Sequence, residues 1–448
     1  MLPGITGSVL RKHGTVVWGY SAGSIGKALW SLGGTMERAL ALPHDDPEVD
    51  DLEDGITADE LMPDLHLLPG VWKIDGYGKI TEAILTGFEV TEGRNFFRFP
   101  YDWRRDNKVA ARKLARAAKR WLGSWRDSSG NPDAKLILIC HSMGGLVARY
   151  FLECMDGWKD ARALVSFGTP YRGSLNALDG LANGIKTGPL DLSKVSRQFT
   201  AIYQLLPMYE CYDSGDSTLV RVGETTGIPN VDPEKAQSAL RFHREIEAAA
   251  NSNRRLHRYQ ESTYRIYPVV GIAQQTIQSA RLAESGVVML ETYKGNALTG
   301  DGTVPQVSAI PIEMSEAPNA MYAATKHGSL QNADAVITNM IGILSGFDLD
   351  LGSFRKPKTH VAIEIGDLYC SGQRVVLRAR PTRDAALTAV FWRSGDVASS
   401  AELTLAPAGD DWLQADFVPA APGAYHVAVS GVGAETAQDS FAVLGAET

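Results

Sequence analysis

The stretch Lys135-Leu136-Ile137-Leu138-Ile139-Cys140-His141-Ser142-Met143-Gly144-Gly145-Leu146-Val147 changes its periodicity halfway along. Residues 136–139 are an unbroken apolar run, as a parallel strand covered on both faces requires. After the glycines, Leu146, Val147, Tyr150, Phe151, Cys154 and Met155 recur at three- and four-residue steps, the pattern of a helix that buries one face. Between them, Cys140 to Gly144 is a variant of G-x-S-x-G, the turn that carries an exposed nucleophile from a strand into a helix. Such a turn forces Ser142 into strained backbone and lifts its hydroxyl above the sheet. The residues two before and two after must be small, because strand and helix nearly touch. Gly144 meets this requirement, and Cys140 stands in for the usual glycine. At the helix start, the backbone N–H of Met143 is offered to a developing oxyanion. The bland alternative is a tight turn that happens to contain serine. His141 makes a poor base, since neighbours on a sharp turn point apart, and Cys140 reads as a small buried residue.

A chain of 448 residues exceeds one comfortable core, so two domains are expected. Hydrophobic content of 44% and charged content of 21% describe an ordinary globular protein. The net charge of −8 argues against nucleic acid as a partner and against tight docking on anionic lipid. The four cysteines, Cys140, Cys154, Cys211 and Cys370, have no metal-like spacing, and reduced thiols are expected. No apolar span of about eighteen residues predicts a membrane helix. The opening Met1-Leu2-Pro3-Gly4 shows no secretory leader. A cytoplasmic location is expected, with a clipped N-terminus as the alternative, because a Pro-Gly loop normally follows a longer strand.

Short apolar strands alternating with helices predict an α/β fold, an open and mostly parallel sheet with helices on both faces and a helical cap. The hydrolase-like body is expected over 1–355. Residues 2–10 read as a glycine-rich loop, in which Ile5 either offers a second oxyanion N–H or merely belongs to a terminal turn. Residues 20–93 read as an insertion, with a helix near 24–32 and a solvated acidic run from Asp45 to Asp54. The run lacks the ligand alternation of a calcium loop. A strand is expected at 95–99, an Asp102–Arg104 pair just after it, and a surface helix over 108–121. Residues 175–260 read as a helical cap without sheet pattern, whose patch at 202–209 packs the cap or lines an acyl pocket. Beyond Pro357 about seven short alternating segments predict a β-sandwich over 358–448.

Chain order narrows the remaining site residues. On this fold the partners of the serine follow as acid and then histidine. Asp301, between two glycines in Thr299-Gly300-Asp301-Gly302-Thr303-Val304-Pro305, is the best acid. Of the nine histidines, only His327, His360 and His426 come later, and the last two fall in the expected sandwich. His327, in a loop just after a strand, is therefore the base, oriented by Asp301.

Taken together, the Pro3-Gly4 loop, Tyr101-Asp102-Trp103-Arg104, His141-Ser142-Met143-Gly144, Gly168-Thr169-Pro170, Gly300-Asp301-Gly302-Thr303-Val304-Pro305 and His327 resemble the lecithin:cholesterol acyltransferase family of α/β-hydrolases. The resemblance spans roughly residues 2–347. It implies Ser142 as nucleophile, Asp301 as acid, His327 as base, and the N–H groups of Ile5 and Met143 as the oxyanion hole. Three features depart from the family pattern: no cysteine pair is placed to close a lid, the terminal sandwich is extra, and Cys140 replaces glycine or alanine.

The expected activity is cleavage of acyl esters of lipids through a serine acyl-enzyme, without metal or organic cofactor. The expected partners are an acyl-ester or lipid substrate, a transient lipid-surface contact and a protein bound through the sandwich. Three alternatives stand beside this reading. One is an acyltransferase that delivers the acyl group to an alcohol. Another is an idle hydrolase scaffold used for binding. The third is an intracellular effector whose sandwich exposes the site on demand.

Overall fold

The computed structural model describes residues 1–19, 37–62, 66–68, 72–187, 190–215, 218–314, 320–345, 359–383, 385–432, 434 and 436–445. The helix expected near 24–32 and the boundary expected at 355–358 lie outside these residues.

At the centre lie four parallel strands in the order Met321–Ala323, Arg265–Gly271, Ala161–Phe167 and Leu136–His141. Most of their apolar residues are buried, as parallel sheets require, but the elbow strand is covered only from Leu138 onward, and Ile137 is 39% exposed. Leu2 adds a bridge to the outer edge of Leu136–His141: its N–H donates to Ile139 O at 2.8 Å, and its carbonyl accepts from His141 N at 3.1 Å. The strand expected at 95–99 is absent as a regular element. Among the described residues it meets Met1, whose carbonyl accepts from Phe99 N and whose amine donates to Phe97 O, and makes a lone bridge from Phe96 to Glu92. Contacts of single residues are too short to build a ladder.

Helix Asn107–Ser129 packs beside the elbow strand, burying Val109, Ala110, Leu114, Ala117, Ala118 and Leu122. It begins at Asp106, which accepts from Lys108 N, and ends at Gly130, whose φ of 68° stops it. The helix therefore passes the expected end at Trp121, since Gly123 stays helical.

Three further expectations change. Residues 2–10 are not all loop, because Ser8–Lys12 pairs with both Thr15–Trp18 and Ile56–Leu61. The segment 175–260 carries the helices Leu175–Ala182 and Pro233–Asn253, but its Tyr212–Asp213 and Leu219–Val220 also join Ser279–Ala283 and Gly286–Leu290 in a small sheet. The acidic run is not simply solvated. Arg105 pairs with Asp45 at 3.0 Å, Arg104 with Asp54 at 2.8 Å, and Arg112 and Arg116 with Asp50. The patch at 202–209 packs: Ile202, Tyr203, Leu205 and Leu206 are buried in the main core. All four cysteines are free.

Towards the carboxy terminus two sheets enclose a second core. One holds Val361–Glu364, Val375–Pro381, Leu413–Phe417 and Ala406–Pro407; the other holds Leu368–Cys370, Ala437–Leu444, Gly423–Gly431, Leu387–Arg393 and Asp396–Thr404. Alternation places Val361, Leu377, Phe391, Val427 and Phe441 inside, and Phe391 of one sheet stacks on Phe417 of the other at 4.4 Å.

Candidate active site

Every residue singled out for chemistry lies at or just beyond the carboxyl ends of the parallel strands, where open α/β sheets bind their ligands. Ser142 follows the strand Leu136–His141 with φ of 49°, the strained left-handed conformation of an elbow. The turn is held by Ser142 N donating to Phe167 O at 2.8 Å, and by Gly145 N and Thr169 Oγ1 both donating to Ser142 O at 3.0 Å. The space is tight where small residues were expected. A Cβ on Gly144 would lie 2.4 Å from Pro3 O, and one on Gly145 would lie 2.0 Å from Thr169 Oγ1.

His327 comes from the loop after strand Met321–Ala323 and places Nε2 2.9 Å from Ser142 Oγ. Its Nδ1 lies 2.7 Å from Asp301 Oδ2. An ionised carboxylate only accepts, so Nδ1 carries the proton and Nε2 is free to accept the serine proton. The other carboxylate oxygen of Asp301 accepts from the N–H groups of Thr303 at 2.9 Å and Val304 at 2.7 Å. The acid therefore cannot rotate without losing two hydrogen bonds. Ser142, Asp301 and His327 are 5%, 1% and 6% exposed, so their interactions act in a largely dry site.

The loop carrying Ile5 adjoins the serine. A Cβ on Gly4 would lie 2.8 Å from Ser142 Cβ and 3.4 Å from its Oγ. Among the described residues neither the Ile5 N–H nor the Met143 N–H has an acceptor, which leaves both available to an oxyanion. Tyr101 and Trp103 fix this loop from behind: Tyr101 Oη donates to Pro3 O at 2.9 Å, and Trp103 Nε1 donates to Ser8 O at 3.1 Å. The expected Asp102–Arg104 pair is present, with Arg104 Nε donating to Asp102 Oδ1 at 2.9 Å.

His141 does not face the serine proton, but it is built into the site. Its Nε2 lies 3.1 Å from His327 O and its Nδ1 lies 3.0 Å from Tyr77 Oη, which also accepts from Gly4 N at 2.8 Å. The carbonyl fixes the tautomer: Nε2 donates, Nδ1 accepts the tyrosine proton, and the tyrosine oxygen accepts the Gly4 N–H. One chain of hydrogen bonds thus joins the loop beside the serine to the main chain of His327. Burial, together with the neighbouring His327, pushes His141 down to about 3, so it stays neutral. Burial also raises Cys140 to about 12, which keeps its thiol inert. Tyr77 escaped the sequence reading because no motif marks it.

An apolar cavity of about 230 Å³ lies along the flank of the elbow strand, between residues such as Phe97, Trp121 and Ile137. None of its lining residues is Ser142, Asp301 or His327, so it is not the site of this chemistry. Among the described residues no helix is long and apolar enough to cross a membrane.

A parallel sheet with a buried serine on a strained strand-to-helix turn, backed by histidine and carboxylate, defines the class as α/β-hydrolase. Residues 73–308 match the lecithin:cholesterol acyltransferase family, and the chain belongs to that family. Membership points to an enzyme acting on lipid esters. No match is found among curated proteins. Among solved structures, the chain is 18% identical to a Bacteroides vulgatus protein described as a glycoside hydrolase, over 18% of this chain and 17% of that one, with a TM-score of 0.16. It is 13% identical to the CARDB domain of a Pyrococcus furiosus protein in complex with di-metal ions, over 20% of this chain and 90% of that one, with a TM-score of 0.15. It is also 13% identical to the sensor domain of an anti-sigma factor of Pseudobacteroides cellulosolvens, over 20% of this chain and 93% of that one, with a TM-score of 0.17. Likenesses of this size carry no argument about fold or function.

Proposed function

We propose that this chain is a serine hydrolase of carboxylic esters, of the lipase, phospholipase or esterase type, working through an acyl-enzyme on Ser142. The observation that carries the reading is the unbroken relay of 2.9 Å from Ser142 Oγ to His327 Nε2 and 2.7 Å from His327 Nδ1 to Asp301. In the acylation step Ser142 Oγ attacks the ester carbon and passes its proton to His327 Nε2. The negative charge moves onto the former carbonyl oxygen, where the N–H groups of Ile5 and Met143 receive it. When the intermediate collapses, the ester C–O bond breaks and His327 protonates the leaving alcohol. Water then enters by the same route to release the acid, and Asp301 stabilises the imidazolium in both halves.

The body over 1–355, with cap segments at 20–93 and 175–260, is the catalytic domain in this proposal, and 358–448 is a separate β-sandwich. The substrate is a lipid acyl ester, met at a lipid surface by transient contact. Family membership also favours a second reading, transfer of the acyl group to an alcohol. One experiment separates them: hydrolysis of an acyl-ester panel, with products analysed with and without added alcohol. Free acid alone supports the hydrolase, a new ester that grows with the alcohol supports the transferase, and no turnover with any ester refutes both.

A further inference from the structure

We propose that the carboxy-terminal sheets brace the two loops that carry Asp301 and His327, with Gln274 as the principal positioning residue. The proposal rests on reading those residues as acid and base. Gln274 follows the strand Arg265–Gly271 and is completely buried. Its main chain pairs with Gly300 in both directions, Gln274 N to Gly300 O at 3.1 Å and Gly300 N to Gln274 O at 3.2 Å. Asp301 is the next residue along. Thr276 adds a second tie, its Oγ1 donating to Gln274 O at 3.0 Å and accepting from Gly302 N at 2.9 Å.

The side chain of Gln274 reaches the opposite way. Its Nε2 donates to Val361 O at 3.0 Å, and its Oε1 accepts from Ile363 N at 3.2 Å. Val361–Glu364 is the edge strand of its sheet, so these are groups that no strand of that sheet engages. A primary amide presents the N–H and C=O of a peptide, and here it takes the place of one residue of a neighbouring parallel strand. Through this single buried residue, the edge of the carboxy-terminal sheet is continuous in hydrogen bonding with the acid loop.

The base loop is held from the same side. Lys326, immediately before His327, places Nζ 3.9 Å from Asp439 Oδ2, and Asp439 is 4% exposed. Asp75 N donates to Gly328 O at 2.8 Å, and the Asp75 carboxylate lies 3.0 Å from His426 Nδ1. The segment of Asp301 is irregular and His327 opens only a short 3-10 turn, His327–Asn332, so such links help to fix both, beside the bond from His327 N to Asp301 O at 2.8 Å. Displacing a catalytic group by about 1 Å through a change remote from the chemistry can cost on the order of 100-fold in rate.

The test uses the full chain, with Gln274→Ala and, separately, Asp439→Asn. Two readouts are taken: amide hydrogen exchange over residues 299–304 and 326–332, and steady-state hydrolysis of p-nitrophenyl acetate. For Gln274→Ala, exchange over 299–304 is expected to rise about 10-fold or more. Its kcat is expected to fall roughly 10- to 100-fold with KM within about 2-fold, as for a residue that acts on the transition state only. Asp439→Asn is expected to do the same, more weakly, over 326–332. A folded Gln274→Ala with wild-type exchange over 299–304 and wild-type kcat overturns the proposal. Should that variant fail to fold, wild-type exchange and kcat in Asp439→Asn overturn it instead. Raised exchange in the variants, beside a wild type that hydrolyses nothing, would support the brace and sink the triad reading.

Discussion

Ser142 has a backbone that suits glycine and a proposed role that needs a hydroxyl, and the two demands can be separated. With φ at 49°, a non-glycine residue there stores on the order of 1–3 kcal/mol of strain. Ser142→Gly and Ser142→Ala lose the same hydroxyl, but only the glycine relieves the strain. The glycine variant should be more stable than the alanine variant by about 1 kcal/mol in urea unfolding, after the extra entropy of its unfolded chain is allowed for. Gly4 offers a second test. Its missing Cβ leaves room for Ser142, so Gly4→Ala should displace the Ile5 N–H and cost on the order of 100-fold in kcat. His141 gives the pH test. Its pKa is about 3 folded and near 6.5 unfolded, so between these values the unfolded chain binds the extra proton. Its contribution to stability is therefore whole above about pH 6.5 and is lost as pH falls towards 3, by up to about 1.4 kcal/mol per pH unit. Urea unfolding at pH 7 and pH 4.5 should show a smaller drop for His141→Gln than for the wild type. Equal drops would contradict the neutral, buried histidine.

At the scale of elements, the segment after residue 99 holds the loop that faces the serine. Arg104 is fully buried, and its guanidinium joins Asp102, Asp54 and the carbonyl of Leu40. Arg104→Ala would strand Asp102, which is 14% exposed, and Asp54, which is 28% exposed, and should cost about 3–5 kcal/mol of stability in urea unfolding. Much of this region was legible in the sequence. The Asp102–Arg104 pair was readable because its members are two residues apart. The elbow was readable because strand, serine and helix are contiguous. The acidic run was misread as solvated for the opposite reason: its partners Arg104, Arg105, Arg112 and Arg116 lie 50 or more residues away, and composition says nothing of that approach. The supposed strand at 95–99 had the right residues but, among the described residues, met no partner strand beyond single-residue contacts with Met1 and Glu92, and β propensity without a partner strand makes no sheet.

For the whole molecule, the chain order Ser142, Asp301, His327 was enough to choose three residues that the fold then brings within hydrogen-bond distance. What connects the two cores was not legible. Gln274 belongs to no motif, and a glutamine in a loop is ordinarily solvated, so only its burial against Val361 and Ile363 reveals it. The same holds for Tyr77, whose part in the site depends on a contact with His141 across 64 residues of chain. The proposed chemistry requires Ser142 to be an activated nucleophile. The most direct measurement is reaction with a fluorophosphonate probe, followed by intact mass and peptide mapping of wild type, Ser142→Ala and Asp301→Asn. One adduct is expected on Ser142, absent from Ser142→Ala and formed about 1,000-fold or more slowly in Asp301→Asn, where the imidazole loses its orientation. A folded wild type that takes up no probe, or an adduct that survives in Ser142→Ala, would contradict it.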